Sequence, residues 1–389
     1  MFKIKTYNKI SPKGLDLFGR GNYETASEIP SPDAIILRSY KLTPEEIDNS
    51  VKAIARAGAG VNNIPVDYCT EKGIVVFNTP GANANSVKEL VIAGLLLSAR
   101  KIHEGISWVE NQGDENDLAK KVEKEKSNFA GTEINGKTLG VIGLGAIGVL
   151  VANAAVELGM NVYGYDPYIS VKAAWSLSRK VNRIESLEQL ISISDYVTLH
   201  VPLIPETENL IGKEILQKAK KGIKILNFAR GGLVDTAAVK EALSEGTVSK
   251  FVTDFPVSEL LGVEGVLAIP HLGASTAEAE ENCAVMAANQ LKAFLENGEI
   301  INSVNFPACS LERSEGARLA VANRNIPKML SQILSVLADA KLNVENMVNR
   351  NKDGIAYNLI DLSAENVSSK VLEEIKNIDG VISVRLITD

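Results

Sequence analysis

The spacing of apolar and polar residues changes character twice along the chain. Over residues 1–98, short apolar runs alternate with short helical stretches. Asp33-Ala-Ile-Ile-Leu-Arg38-Ser39, Lys52-Ala-Ile-Ala-Arg56 and Gly73-Ile-Val-Val-Phe-Asn78 each read as a buried strand ending in polar groups. Residues 85–100 are apolar on nearly every side, which predicts a buried helix between two domains. Residues 110–126 are dense in charge and predict a solvated, mobile helix or loop without chemistry. From Thr138 onward the alternation resumes. Strands are expected at 138–142, 161–165, 196–201, 222–228, 248–254 and 266–271, with helices at 146–158, 186–191 and 236–245. Helices between short buried strands call for a parallel sheet. A second long helix at 277–297 is expected to return the chain to the first domain, which is then discontinuous. Asn305 to Ser314 has the proline and polar content of a linker. From Arg318 the order becomes βαββαβ, the ferredoxin-like plan. The expected domains are therefore 1–98, 99–281, a return segment 282–305, a linker 306–317 and a C-terminal domain 318–389.

Composition narrows the class. With 389 residues, 45% apolar and 23% charged, the chain suits a soluble α/β protein of two or three domains. A net charge of −7 disfavours a nucleic-acid or acidic-membrane surface. No apolar run reaches the length of a membrane span. The opening Met-Phe-Lys-Ile-Lys-Thr-Tyr alternates like a first strand and lacks a signal-peptide core, so a cytoplasmic location is expected. Cys69, Cys283 and Cys309 are odd in number and widely spaced, which fits reduced thiols better than a disulfide framework or a zinc site. No metal is expected.

Candidate chemistry begins at Thr138-Leu-Gly-Val-Ile-Gly143-Leu-Gly145-Ala-Ile-Gly148. A strand, a G-x-G-x-x-G run and a helix follow one another. Gly143 allows the tight turn, Gly145 lets a pyrophosphate touch the backbone, and Gly148 lets the helix pack on the strand. The helix start offers unpaired N–H groups and a positive dipole end. Asp166 closes the next strand; its carboxylate can accept two ribose hydroxyls and would repel a 2′-phosphate, which favours NAD over NADP. Elsewhere, Arg38, Ser39, Arg56, Asn78 and Asn83 follow apolar runs and could gather on one rim as an anion site; the bland alternative is that the arginines are solvated loop residues. Arg230, Glu259 and His271 sit at strand ends of the nucleotide domain. Hydride exchange with a 2-oxo acid needs a proton donor and a cation for the carboxylate. His271 can be the donor, Glu259 would raise its pKa, and Arg230 would bind carboxylate and carbonyl. The alternative for His271 is a structural histidine. Asp254 is either a strand-end cap or a partner for the nicotinamide carboxamide. His103 and His200 are taken as structural.

The runs Gly143-Leu-Gly145-Ala-Ile-Gly148, Asn227-Phe-Ala-Arg230-Gly-Gly, Thr253-Asp-Phe-Pro-Val-Ser-Glu259 and Pro270-His271-Leu-Gly-Ala-Ser-Thr together resemble the D-2-hydroxyacid dehydrogenases. Leu37-Arg38-Ser39, Arg56-Ala-Gly-Ala-Gly-Val and Asn83-Ala-Asn-Ser-Val-Lys-Glu are similar to its phosphoglycerate-oxidising branch, and the tail from Arg318 to an ACT domain. The resemblance implies a Rossmann-type nucleotide domain, a discontinuous flavodoxin-like substrate domain and a ferredoxin-like ACT domain. It implies NAD-dependent oxidation of 3-phospho-D-glycerate to 3-phosphohydroxypyruvate, with Arg230, Glu259 and His271 as the catalytic set. The substrate would be held by Arg38, Ser39, Arg56 and Asn83. Cofactor contacts would include Ala146, Ile147, Asp166, Phe228, Ala229, Asp254 and the segment His271, Gly273 and Ala274. L-serine is the implied effector, at Asn323, Asn325 and Asn343, and the family implies a homodimer or homotetramer. The chain departs from the family in reading Asp254-Phe-Pro where Asp-Val-Phe is usual, in a short link from Glu259 to His271, and in Asn323 where His is common. A glycerate or hydroxypyruvate reductase, and a non-enzymatic NAD sensor on the same scaffold, are the competing readings.

Overall fold

Buried strands of four or five apolar residues need a cover on both faces, and the chain supplies helices after almost every one. The computed structural model describes residues 1–113 and 117–388. It divides into two units, residues 1–82 with the chain from 277 onward, and residues 83–276.

The first unit opens with a parallel five-stranded sheet. Its strands are β1 (Phe2–Thr6), β2 (Tyr23–Ala26), β3 (Ala34–Leu37), β4 (Ala53–Arg56) and β5 (Val75–Phe77), in the order β2-β1-β3-β4-β5. That is the flavodoxin-like order. The helix Ala277–Asn297 belongs to this unit and packs Ala284, Ala287, Leu291 and Phe294 into its core.

The second unit holds seven parallel strands. These are β6 (Thr138–Ile142), β7 (Asn161–Tyr165), β8 (Asn182–Arg183), β9 (Tyr196–Leu199), β10 (Ile223–Asn227), β11 (Val248–Thr253) and β12 (Val266–Ala268), ordered β12-β11-β10-β9-β6-β7-β8. The order reverses between β6 and β9, which is where a doubly wound sheet opens a ligand crevice. The helix Ala84–Ala99 falls in this unit, so the cut comes before it, whereas the expected boundary at residue 98 left it with the first domain. Val87, Val91, Leu95 and Ala99 share one core with Leu139, Val141, Leu226 and Phe228. Gly94 permits that approach, since a Cβ there would stand 2.9 Å from the Phe228 ring. Within the charged stretch, residues 114–116 lie outside the described residues. Around them, the helices Ile102–Glu110 and Leu118–Glu125 bury no residue.

The C-terminal part of the first unit is an antiparallel sheet. It comprises β13 (Arg318–Arg324), β14 (Val344–Lys352), β15 (Ile355–Leu362) and β16 (Val381–Ile387), in the order β14-β15-β13-β16. With the helices Met329–Asp339 and Ser369–Lys376 the element order is βαββαβ. Lys328 adopts a positive φ of 74°, and the first of these helices starts at Met329. The sheet has two buried faces. Leu319, Val321, Ile360 and Leu362 pack with Ile333, Leu337 and Ile375, while Ala320, Ala322, Tyr357 and Leu359 share a core with Phe77, Phe294 and Phe306. Residues 306–317 are accordingly no loose linker at their start. Phe306 and Cys309 are buried, and Ile300 and Cys309 exchange backbone hydrogen bonds of 2.8 and 3.0 Å. The fully buried ion pair Arg318–Asp361 (2.5 Å) also reaches the helix Ala277–Asn297, Arg318 donating to the Asn297 carbonyl at 3.1 Å. Arg385 donates to the Phe294 and Leu295 carbonyls of the same helix end. Cations at a helix C-terminus satisfy its orphan carbonyls and complement its dipole. Among the described residues no helix is long and apolar enough to cross a membrane.

Candidate active site

The glycine turn follows β6. Gly143 takes φ 89°, and a side chain there would meet the His200 carbonyl at 2.7 Å. A Cβ on Gly148 would overlap the Gly143 carbonyl, so turn and helix close on each other only with glycine at both positions. Gly145 is different: it precedes the helix Ala146–Glu157 with nothing within 4 Å of where a Cβ would stand. The space over it is open, and the N–H groups of Ala146 and Ile147 are those that no intrahelical carbonyl can reach. Asp166 closes the crevice from β7. One carboxylate oxygen accepts from Leu144 N–H and the other from Tyr168 N–H, both at 2.8 Å. The turn, the helix start and the pinned carboxylate fit a dinucleotide. His200 lies under the turn, with its Nε2 3.0 Å from Thr198 Oγ1; burial pushes its pKa down, so it stays neutral and structural.

The expected catalytic residues come from loops at the carboxyl ends of β10, β11 and β12. Asn227, at the end of β10, shapes the first. Its Oδ1 accepts from the N–H groups of Ala229 (3.2 Å) and Arg230 (3.4 Å), and its amide donates to the Arg230 carbonyl at 2.8 Å. Sequence reasoning gave Asn227 no role, although a buried asparagine ahead of a loop is the signature of an Asx turn. Arg230 itself donates from Nη1 to the Ala229 carbonyl at 2.6 Å. The His271 ring is exposed and tilted against Phe255, centroids 4.7 Å apart. Ser86, a second positioning residue missed in the sequence, holds the following turn through a buried 2.8 Å hydrogen bond to the Gly273 carbonyl.

Asp254 is the most unusual side chain of the unit. It is fully buried and neither carboxylate oxygen has a hydrogen-bond partner. Burial pushes its pKa up, opposed by the charge of His271, the nearby Gly273 N–H and, more weakly, Arg230. A buried carboxylate without partners is costly, and a donor brought by a ligand would relieve it. Phe228, at the end of β10, is buried and Ala229 half-buried. Glu259 stands apart from His271 in hydrogen bonding. No hydrogen bond or ion pair joins it to His271 among the described residues. The short turn Ser258–Leu260 buries Leu260 and leaves Glu259 exposed. The carboxylate that feels the charge of His271 is Asp254.

In the first unit, Arg38 and Ser39 follow β3, Arg56 ends β4 and Asn78 follows β5, as the strand pattern requires. Arg56 Nε donates to the Arg38 carbonyl at 3.1 Å, and Asn8 Oδ1 accepts from the N–H of Ser39 at 3.1 Å. Arg38 pairs with Glu280 at 2.6 Å, both side chains partly exposed. Asn83 lies in the second unit, just ahead of the helix Ala84–Ala99. Of the three asparagines expected to hold an effector, Asn325 and Asn343 are exposed. Asn323 is buried, donating to the Arg324 carbonyl at 2.6 Å and accepting from Asn358 at 2.8 Å, so its amide is committed within the sheet. All three cysteines are free and buried, and burial pushes the Cys69 thiol up to about 12.

The family model for the NAD binding domain of D-isomer specific 2-hydroxyacid dehydrogenases matches residues 92–273, which span the glycine turn and His271. The chain is 35% identical to a D-3-phosphoglycerate dehydrogenase of Haemophilus influenzae over 89% of its own length and 84% of that protein. It is 37% identical to one from Methanocaldococcus jannaschii over 82% of its length, spanning 60% of that longer protein, and spans 55% of one from Archaeoglobus fulgidus. A crystal structure of NAD+-bound 3-phosphoglycerate dehydrogenase from Entamoeba histolytica superposes with a TM-score of 0.61 at 27% identity, covering 78% of this chain and 98% of that one. With the turn, the strand orders and these likenesses in agreement, the chain belongs to the D-isomer specific 2-hydroxyacid dehydrogenase family.

Proposed function

We propose that the protein oxidises 3-phospho-D-glycerate to 3-phosphohydroxypyruvate with NAD, the opening step of serine synthesis. The observation that carries the chemistry is Asp254, buried with both oxygens unpartnered and under the charge of His271 and Arg230. The NAD cofactor, when bound, supplies the hydride acceptor. Gly143, Gly145, Gly148 and the N–H groups of Ala146 and Ile147 would hold its pyrophosphate, and Asp166 its ribose hydroxyls. Asp254, with Phe228, Ala229, Gly273 and Ala274, would line the other end. His271 takes the hydroxyl proton of the 2-hydroxy acid. Arg230 orients the substrate carboxylate. Arg38, Ser39, Arg56 and Asn83 hold the phosphate, and the names of the relatives favour that substrate over plain glycerate or hydroxypyruvate.

We read the C-terminal βαββαβ sheet as an ACT module, supported by its strand order. L-serine would act there through Asn325 and Asn343, Asn323 serving as a sheet strut. The assembled enzyme is read as a homodimer or homotetramer, and the buried, unpaired thiols suit a reducing cytoplasm. The test is NADH formation at 340 nm by purified protein given 3-phosphoglycerate, glycerate or lactate, with and without serine. Equal rates on phosphorylated and plain acids would reject the substrate. His271→Ala should lower turnover roughly 10²-fold or more; a near-normal rate removes it from the reaction.

A further inference from the structure

The amino ends of β6, β9 and β10 lie on the sheet edge opposite the glycine turn, and they carry a feature that hydride transfer does not use. A recess of about 90 Å³ opens there, lined by Lys137, Lys220, Lys221, Lys224, Asp195 and Tyr196 among others. Asp195 is the one carboxylate in the lining, and it is already engaged. It pairs with Lys220 at 2.7 Å and accepts from the Thr138 N–H at 2.9 Å. Among the described residues, no carboxylate lies within ion-pair distance of Lys137, Lys221 or Lys224. Three further ammonium groups therefore share one concavity with a single carboxylate that is already paired to Lys220.

Two of the lining groups are poorly served by their burial. Tyr196 is 1% exposed, and its hydroxyl faces the Thr132 side chain but makes no hydrogen bond of good geometry. Lys224 is half-buried with its ammonium 4.7 Å from the centroid of the Tyr196 ring. Burial pushes the Lys224 pKa down; Asp195 opposes this, while the charges of Lys137 and Lys250 add to it. A buried hydroxyl without a hydrogen bond of good geometry and a desolvated ammonium beside like charges are both unfavourable in the empty recess. One species relieves both at once: a compact anion with several acceptor oxygens, taking the tyrosine O–H and the lysine N–H groups together. Lysine suits this as a point-charge phosphate ligand.

We propose that this recess binds a small oxyanion of the phosphate type. The site lies at the opposite strand ends from the dinucleotide crevice of the same sheet, so both can be filled together. Its size admits a single phosphate group, either the free ion or one phosphoryl of a larger molecule entering from the open side.

Calorimetric titration of inorganic phosphate into the NAD-saturated protein at constant ionic strength tests this. The protein used carries Arg38→Ala and Arg56→Ala, so that the substrate rim does not contribute. One phosphate per chain is expected. Lys224→Gln should weaken it roughly tenfold and Tyr196→Phe a few-fold, the loss of one charge-assisted and one neutral hydrogen bond. Lys221→Gln, at an exposed position that leaves folding intact, should weaken it as well. Sulfate should compete, and chloride at the same ionic strength should not. Binding that is absent, that survives Lys224→Gln and Lys221→Gln unchanged, or that chloride abolishes equally would overturn the proposal. So would binding of ATP alone with no response to inorganic phosphate. Dehydrogenase activity plays no part in these readouts, so the two readings fail separately.

Discussion

Gly145→Ala separates a cofactor seat from an ordinary strand-to-helix turn. Gly145 has φ −77° and ψ −160°, an extended backbone that alanine adopts without strain. Nothing lies within 4 Å of the added methyl. The only folding cost is that of alanine in place of glycine ahead of a helix, about 1 kcal/mol. The methyl would stand in the open space over the Ala146 and Ile147 N–H groups, where a pyrophosphate must approach the backbone. Pushing that group back by one methyl radius forfeits at least one charge-assisted hydrogen bond, about 1.5–3 kcal/mol, which is roughly a 10- to 150-fold weaker Kd for NADH. NADH fluorescence titration reads the affinity, and a circular dichroism melt reads the fold. Gly148→Ala is the contrast, since its methyl overlaps the Gly143 carbonyl and should lower the melting temperature as well. If Gly145→Ala melts like the parent and binds NADH within twofold of it, nothing sits over Gly145, and the cofactor assignment falls.

Ser86→Ala leaves the buried Gly273 carbonyl without its donor, at about 1–3 kcal/mol; turnover should fall while NADH affinity stays near normal, because the turn beside His271 loosens. Asp254→Asn should remove a penalty. The folded-state pKa lies above the ordinary 3.8, so the carboxylate destabilises the fold at pH values above its folded pKa, and that penalty vanishes below 3.8. The variant should melt higher than the parent at pH 7, with the gain shrinking as pH falls toward 4, and should turn over more slowly; an unchanged melting temperature at pH 7 contradicts the burial argument. Glu280→Gln frees Arg38 from a half-exposed ion pair worth at most about 1 kcal/mol. KM for the phosphorylated acid should drop a few-fold, with no change for the unphosphorylated one; equal changes for both would place Arg38 away from the phosphate.

What the chain determined by itself is local. The glycine turn was legible because only glycine takes φ 89° at Gly143 and only glycine lets Gly148 approach the Gly143 carbonyl. Alternating runs announced both parallel sheets and the βαββαβ tail, since side-chain period and strand length are properties of a few consecutive residues. Tertiary structure decided the rest, because it turned on neighbours far apart in sequence. The helix Ala84–Ala99 joined the nucleotide unit through its contact at Phe228, and residues 306–317 were anchored by Phe306 in a core drawn from both ends of the chain. Arg38 acquired Glu280 as a partner, Asp254 was buried without a well-formed hydrogen bond, Glu259 turned to solvent over the buried Leu260, and Asn323 was drawn into an amide pair with Asn358. A residue's identity states which bonds it is able to make; only the folded chain settles which groups stand close enough to make them, and which buried groups are left waiting for a ligand.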